Sequence, residues 1–375
     1  MYKICENCIM DTTDSKIVFD SRGYCDYCNN YYKNILPNWH PNEQGRKLLA
    51  PIVEDIQRKG NKKDFDCIIG VSGGIDSSYL LYLAKEKLGL RPLVFHVDAG
   101  WNTQQSVNNI EVLVDKLGLD LYTEVVNWEE MKDLQKAFFK AHVPDLDLPQ
   151  DTAFFCALYK FAVKHKIKYV LTGANNSTEC VRQPTEWGGY YIDARYIHDI
   201  HKRYGSIPLK TFPLTDILVN RIIYRYIRGM KVVKPLDYFQ YKKKEAIDFL
   251  VTNYAWQPYA HKHHESRFTR FIEGFWQPRK FGFDPRRAHF SSLILTGQMT
   301  RKEAIERISK PEVDEQTMVN DFEYVANKLG ISVNELQSYF DGPNKTFRDY
   351  KNKNWIIELG AYALKIIGQE KRLYK

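Results

Sequence analysis

The run Ser72-Gly73-Gly74-Ile75-Asp76-Ser77-Ser78 lies between an apolar stretch, DCIIGV, and a helical one, YLLYLAKEKLG. Glycines there let a backbone turn sharply and aim its N–H groups at one anion, and the N-terminus of the following helix adds a favourable dipole. The hydroxyls of Ser72, Ser77 and Ser78 offer further donors to phosphate oxygens. Asp76 is an acid where an anion should sit, so its contact with phosphate requires a mediating cation, for which Mg2+ is the natural choice. The loop is neither the Walker type, which needs G-K-[ST], nor the dinucleotide G-x-G-x-x-G. The competing reading is an ordinary glycine-rich turn between strand and helix.

A second constellation is Cys5-x2-Cys8 with Cys25-x2-Cys28. Its ligand count and spacing are those of a tetrahedral four-cysteine zinc site, closed to water and therefore structural. An iron–sulfur cluster or unligated thiols are the alternatives. Cys67, inside the first apolar run, reads as a small buried hydrophobe, and the spacing of Cys156 and Cys180 carries no nucleophile signature.

The elements that must position these groups follow from apolar periodicity. Short runs (DCIIGV, PLVFHV, LYTEVV and KYVLTG) alternate with helical stretches such as SSYLLYLAKEKLG and SVNNIEVLVDKLG. Continuous apolar strands alternating with helices predict a doubly wound parallel α/β sheet with right-handed crossovers. Residues 1–36 read as a small cysteine knuckle and 37–64 as a linker helix ending at Gly60. The nucleotide-binding α/β domain then spans 65–235, and 236–375 form a mostly helical region for substrate or partner. Within that last region Thr300 with Glu303 and Ser332 with Glu335 fit the capping-box pattern, predicting helix starts.

Sequence SGGIDSS after a first strand resembles the PP-loop of the ATP pyrophosphatases, the adenine nucleotide alpha-hydrolase-like enzymes that include NAD, GMP and asparagine synthetases. The resemblance implies cleavage of ATP between its α and β phosphates, with AMP placed on a substrate oxygen and pyrophosphate released. It also implies that the end of the second strand, with His96, Val97 and Asp98, receives adenine, and that Thr172 and Gly173 lie beside the α-phosphate. Open α/β sheets do bind ligands at the carboxyl ends of their strands. Glu179 is a candidate metal-binding acid, the alternative being a solvated rim residue. Pro235-Leu236-Asp237 with Lys243-Lys244-Glu245 resembles the family's later P-L…K-x-E element, in which Lys243 would stabilise the leaving pyrophosphate; the alternative is one exposed lysine in a basic run. The catalytic candidates are thus Ser72, Asp76 and Lys243.

The whole chain resembles the N-acetyl sugar amidotransferase family of surface-polysaccharide biosynthesis. The likeness rests on CENCIMDTTD with GYCDYC, GVSGGIDSSYLL, HVDAGWNT, LTGANNSTE and a basic block from His261 to Arg301. It implies a C–N ligase that adenylates an acetamido oxygen of a nucleotide-linked sugar and lets ammonia displace AMP, giving an acetamidino sugar for O-antigen or other lipopolysaccharide. Arginine forks suit a diphosphate and aromatic faces a base or sugar, so Lys262, His263, Arg267, Arg270, Arg286 and Arg287 are the substrate-binding candidates. RNA fits the same block, and a tRNA-modifying PP-loop enzyme is the alternative function. A thiolase would need a catalytic cysteine or cluster, and the catalytic region has no further C-x2-C pair, so no nucleic-acid partner is expected.

No glutaminase signature is present: Met1 stands at the N-terminus, Cys5 belongs to the knuckle, and no Cys sits on a glycine-flanked elbow. A separate glutaminase subunit supplying ammonia is therefore expected, as the family resemblance also implies. The net charge of +8 favours anionic partners. With no run of about twenty apolar residues and no secretory signal, neither a membrane partner nor a span is expected, and the cytoplasm is the expected compartment.

Overall fold

The computed structural model describes residues 2–188 and 192–366. Five parallel strands form one sheet: β1 (Cys67–Val71), β2 (Pro92–Asp98), β3 (Asp120–Val125), β4 (Tyr169–Leu171) and β5 (Lys231–Val233), in the order β3-β2-β1-β4-β5. The parallel α/β expectation holds, and β5 is a strand the apolar runs did not announce, because its Val232-Val233 pair stands between Lys231 and Lys234. Order reverses between β2-β1 and β4-β5, so the loops after β1 and β4 diverge at their carboxyl ends and leave a crevice.

Strand alternation divides the interior. Ile68, Leu93, Phe95, Val97 and Val170 face one apolar cluster, whereas Ile69, Val71, Val94, Tyr169 and Leu171 face another. Both faces are covered by helices, which is why the strands read as unbroken apolar runs. Edge strand β3 is the exception, being exposed at four of its first four positions. The helical expectation for the chain after residue 235 also holds, but these helices share the sheet's interior: Phe268, Phe271, Trp276, Phe322 and Val325 belong to the same cluster as Phe95.

The expected capping box at Thr300 is complete, with side chain and backbone of Thr300 and Glu303 bonded reciprocally. At Ser332 only half of it forms. The hydroxyl accepts from the Glu335 N–H, but the Glu335 carboxylate accepts instead from the Tyr339 hydroxyl one turn on. No helix among the described residues is long and apolar enough to cross a membrane.

The knuckle is docked through the basic block. The Arg287 guanidinium pairs with buried Asp11 at 2.9 Å and donates to the Ile9 carbonyl at 2.8 Å. Arg301 donates to the carbonyls of Cys5 and Cys8 at 2.9–3.2 Å. Within the knuckle, Phe19 forms an isolated antiparallel bridge to Cys25.

Candidate active site

Helix Ile75–Tyr82 begins at Gly74, which has extended geometry and contributes no side-chain cap, so the first N–H groups of the helix have no intrahelical partner. Gly73 sits at φ +83, where an L side chain is strained, and an added Cβ would lie 2.6 Å from the Ser106 carbonyl oxygen. Gly173, in the loop after β4, has a different reason: its Cβ would meet the backbone of Asp76 and Ser77 at 2.9 Å. The two loops at the sheet's reversal thus touch through a position that only glycine fills.

They enclose a cavity of about 450 Å³ lined by Ser72, Gly74, Ile75, Asp76, Ser77, Thr172 and Gly173. His96 and Val97, at the end of β2, line it too. The His96 Nδ1–H donates to the Val71 carbonyl at 3.0 Å, leaving Nε2 to accept from the Asn102 amide at 3.0 Å, so the ring is fixed in one tautomer. Asp76 is aimed by two donors, the Tyr241 hydroxyl at 2.7 Å and the Asn175 amide at 3.2 Å. Of the three lysines in the basic run, Lys242 pairs with Glu245 on the surface and Lys244 is exposed, whereas Lys243 turns inward to line the cavity. Burial pulls the Lys243 ammonium below its usual range, partly opposed by Asp76.

Three of the expected nucleotide contacts stand differently. Gly73 and Ser78 do not line the cavity: Gly73 shapes the turn, and Ser78 is buried behind it with its N–H on the Gly74 carbonyl. Asp98 is likewise beside the cavity, its carboxylate accepting from Gly100 N–H at 2.8 Å and from Asn102, which closes the turn after β2.

A second cavity, of about 560 Å³, opens on the other side of Glu179 and Lys262. Its walls are the knuckle-proximal helix, with Asn30, Asn34 and Asn38, and the opposing Arg182, Lys234 and Arg286. The two cavities share Ala174, Glu179, Gln183, Lys262, His263 and Glu273. At this boundary Lys262 pairs with Glu179 at 2.8 Å and His263 with Glu273 at 2.9 Å. Burial alone would push Glu179 up, but the adjacent Lys262 ammonium outweighs it and holds the carboxyl below its usual range. For His263 burial is outweighed by Glu273, and the imidazole is raised to about 9.

Three arginines expected to bind substrate line neither cavity. Arg267 and Arg270 both pair with buried Asp321, at 2.6 and 2.7 Å, and Arg267 also lies 3.8 Å over the Tyr324 ring. Arg287 is taken by Asp11 of the knuckle. Arg286 does line the second cavity, with its guanidinium held by Asp284 at 2.6 Å. The block is basic because it must neutralise internal acids and carbonyls, a purpose that charge content alone does not separate from ligand binding.

Glu265 is the residue that sequence reasoning missed. It accepts from the Ser72 hydroxyl at 3.3 Å, and a Cβ on Gly74 would lie 2.7 Å from its Oε1. Its segment is held against the loop after β2 by Thr103 N–H on the Glu265 carbonyl and Arg267 N–H on that of Trp101. The one acid after three histidines and a lysine's worth of cations was its only signal. Asp76 and Glu265 line the cavity beside the phosphate loop, and a pair of carboxylates suits an Mg2+ ion that takes its remaining ligands from phosphate oxygens and water; Glu179, which also lines it, is paired with Lys262. The four knuckle thiols lie 3.6–3.7 Å apart where paired and all within 4.8 Å, against the edge of about 3.8 Å expected for a zinc tetrahedron. Backbone N–H groups of Cys8, Met10 and Cys25 point at these sulfurs, as thiolate ligands require.

Comparison with known proteins divides the chain in two. Residues 47–216 match the NAD synthase family, and residues 265–363 match the family described as LPS biosynthesis protein WbpG-like, C-terminal domain. The chain is 30% identical over 106 residues to the uncharacterized protein MJ1599 of Methanocaldococcus jannaschii, covering 28% of this chain and 36% of that protein. It is 24% identical over 164 residues to the glutamine-dependent NAD(+) synthetase of Thermotoga maritima, covering 43% of this chain and 28% of that one. The NH(3)-dependent NAD(+) synthetase of Pyrococcus horikoshii is 24% identical over 157 residues, 42% of this chain and 59% of its own length. The chain thus spans less than two thirds of each of these relatives.

Proposed function

We propose a reaction from the premise that this chain belongs to the WbpG-like PP-loop amidotransferase family, a nucleotide-cradle domain joined to a WbpG-like C-terminal domain. ATP occupies the 450 Å³ cavity, its phosphates against the N–H groups of Gly74 and Ile75 and the hydroxyls of Ser72 and Ser77. A nucleotide-linked N-acetyl sugar occupies the 560 Å³ cavity. There Arg182, Lys234 and Arg286 face a diphosphate, and the amides of Asn30, Asn34 and Asn38 face hydroxyl and acetamido groups. The observation that carries the reading is the meeting of the two cavities at Lys262 and Glu179, which puts an oxygen held in one within reach of a phosphate held in the other.

The acetamido oxygen attacks the α-phosphorus, forming an O–P bond as pyrophosphate leaves with the electron pair of the α–β bridge. Ammonia then adds to the imidate carbon, AMP leaves with the C–O electron pair, a proton is lost, and an acetamidine remains. Lys243 stabilises the charge on departing pyrophosphate. Glu179 holds the Lys262 ammonium at the boundary, where charge builds on the α-phosphate oxygens. Mg2+, held by Asp76 with Glu265 or Glu179, would supply charge neutralisation on the phosphates. Zinc on Cys5, Cys8, Cys25 and Cys28 would fix the knuckle that forms the far wall of the sugar cavity. Ammonia comes from a separate glutaminase subunit.

Internal pairing of Arg267, Arg270 and Arg287 removes much of the charge that an RNA ligand would need, which favours the sugar over the tRNA reading. Incubation with ATP, ammonium and a panel of acetamido nucleotide-sugars, read by mass spectrometry, should show the small mass decrease of oxygen becoming NH, with AMP and pyrophosphate formed. Glutamine should not replace ammonium in the purified chain. No mass change with any sugar, or AMP formation dependent on tRNA, would overturn the assignment.

A further inference from the structure

One wall of the nucleotide cavity carries hydrogen-bond acceptors that no group of the protein satisfies. Asp145 Oδ2, Asp147 Oδ1 and Gln277 Oε1 are all shut off from solvent and have no hydrogen-bond partner within the protein, and all three residues line this cavity. Asp145 and Gln277 keep only 4% and 5% of their surface. The other atoms of two of these groups are committed: Asp145 Oδ1 accepts from the Tyr196 hydroxyl at 3.0 Å, and Gln277 Nε2 donates to the carbonyls of Pro144 and Trp187 at 2.9 and 3.2 Å, while the Asp147 carboxyl has the Thr269 hydroxyl beside it. Gln277 and Asp145 are neighbours, because a Cβ placed on Gly188 would meet Gln277 Nε2 at 3.2 Å and Asp145 Cα at 3.3 Å, and Asp147 follows two residues on along the same cavity wall.

A buried acceptor without a donor is costly, and several in one place are retained only where something supplies the missing protons. What is lacking here is donors and positive charge together. Burial raises Asp145 to about 7, Asp151 to about 6 and Asp147 well above the carboxylate range. The His263 charge opposes this rise at both Asp147 and Asp151, but His263 is already claimed by Glu273. A water molecule brings two donors and no charge; an ammonium ion brings four donors and one charge.

We infer that Asp145, Asp147 and Gln277 form a binding site for ammonium on the wall of the nucleotide cavity, from which the nitrogen reaches the activated carbon at the boundary of the two cavities. The inference rests on the amidating reaction proposed above for its purpose, though not for its geometry. Ammonium stripped of bulk water and held by carboxylates loses one proton to a carboxylate oxygen, leaving neutral ammonia as the nucleophile and a carboxylic acid in its place. Delivery from this side also keeps the nucleophile apart from the sugar until the acetamido oxygen is adenylated.

The test uses the full chain in ammonium chloride and in sodium chloride at equal ionic strength. Thermal unfolding should show a higher midpoint in ammonium for the unaltered protein, and the difference should vanish in Asp145→Asn and Asp147→Asn, each of which turns an acceptor face into a donor. With an acetamido sugar that turns over, the same variants should raise KM for ammonium by about tenfold or more while KM for ATP stays put. Coincident midpoints in the two salts for the unaltered protein, or an ammonium-specific shift kept by both variants, would overturn the site. Should either variant fail to fold, crystals of the unaltered protein soaked in thallium(I) decide: an anomalous peak between the three acceptors supports the site, and none there overturns it. Ammonium-dependent AMP formation with coincident midpoints would sink this site alone. An ammonium-specific shift with no AMP formation from any sugar would sink the reaction and leave the site standing.

Discussion

The two cavities that meet at Lys262 are built in opposite ways. The nucleotide side is local: Ser72 to Ser77 and Thr172 to Gly173 are short runs at the ends of adjacent strands, and the sheet's hydrogen-bond register brings them together. The second cavity is assembled at long range, with Asn34 from the knuckle side facing Arg182 and Arg286. A motif predicts the first kind of site because the backbone itself makes it. The second kind depends on docking, and docking is carried by charged groups that sequence cannot distinguish from ligand-binding ones.

If that contrast is right, breaking the local site should have the largest effect. Asp76→Ala or Lys243→Ala should slow pyrophosphate release by roughly three orders of magnitude with the fold intact, whereas Lys244→Ala should leave it unchanged. Equal losses from Lys243→Ala and Lys244→Ala, measured by a coupled pyrophosphate assay, would return Lys243 to the surface run.

The docked site should fail through stability and affinity. Arg287→Ala strands Asp11, which is fully buried, and should cost about 3 kcal/mol in urea unfolding. KM for the sugar should rise with it while KM for ATP holds. Chelation of the knuckle metal should act in the same direction on the same parameter. A variant with unaltered sugar KM would separate the knuckle from the second cavity.

The boundary between the cavities has a pH signature. His263 in the folded chain is raised to about 9 from 6.5 by Glu273, so the stability it contributes is fully present below about pH 6.5 and is lost as pH rises towards 9. Thermal midpoints should fall across that window, and His263→Gln should flatten the fall. The smallest expected effects are at helix caps: Thr300→Ala, which removes a complete capping box, should cost about 1 kcal/mol. Ser332→Ala should cost less, because its box is only half formed.

Legibility followed the same division. The parallel sheet, the glycine cradle and the four-cysteine cluster were readable because each is announced by short local patterns, apolar runs, a glycine turn and C-x2-C pairs, even though the partners they bring together are far apart in the chain. Within the cradle Gly73, Ser78 and Asp98 lie beside the cavity, a difference of one or two side-chain directions that only a folded turn decides. Strand β5 escaped because its two valines are flanked by Lys231 and Lys234, which break any apolar run, whereas the equally short β4 is apolar throughout.

What composition and spacing settled about this chain is its backbone chemistry: a strand, a glycine turn, an uncapped helix start and two thiol pairs, each enforced by local sterics and hydrogen bonding. Tertiary packing alone decided which charges remain for a ligand. Asp321 and Asp11 claim Arg267, Arg270 and Arg287, while Glu265 arrives at the cradle from 193 positions beyond Ser72. A charge is assigned by whatever lies within a few ångströms of it, and that neighbour is a property of the folded chain.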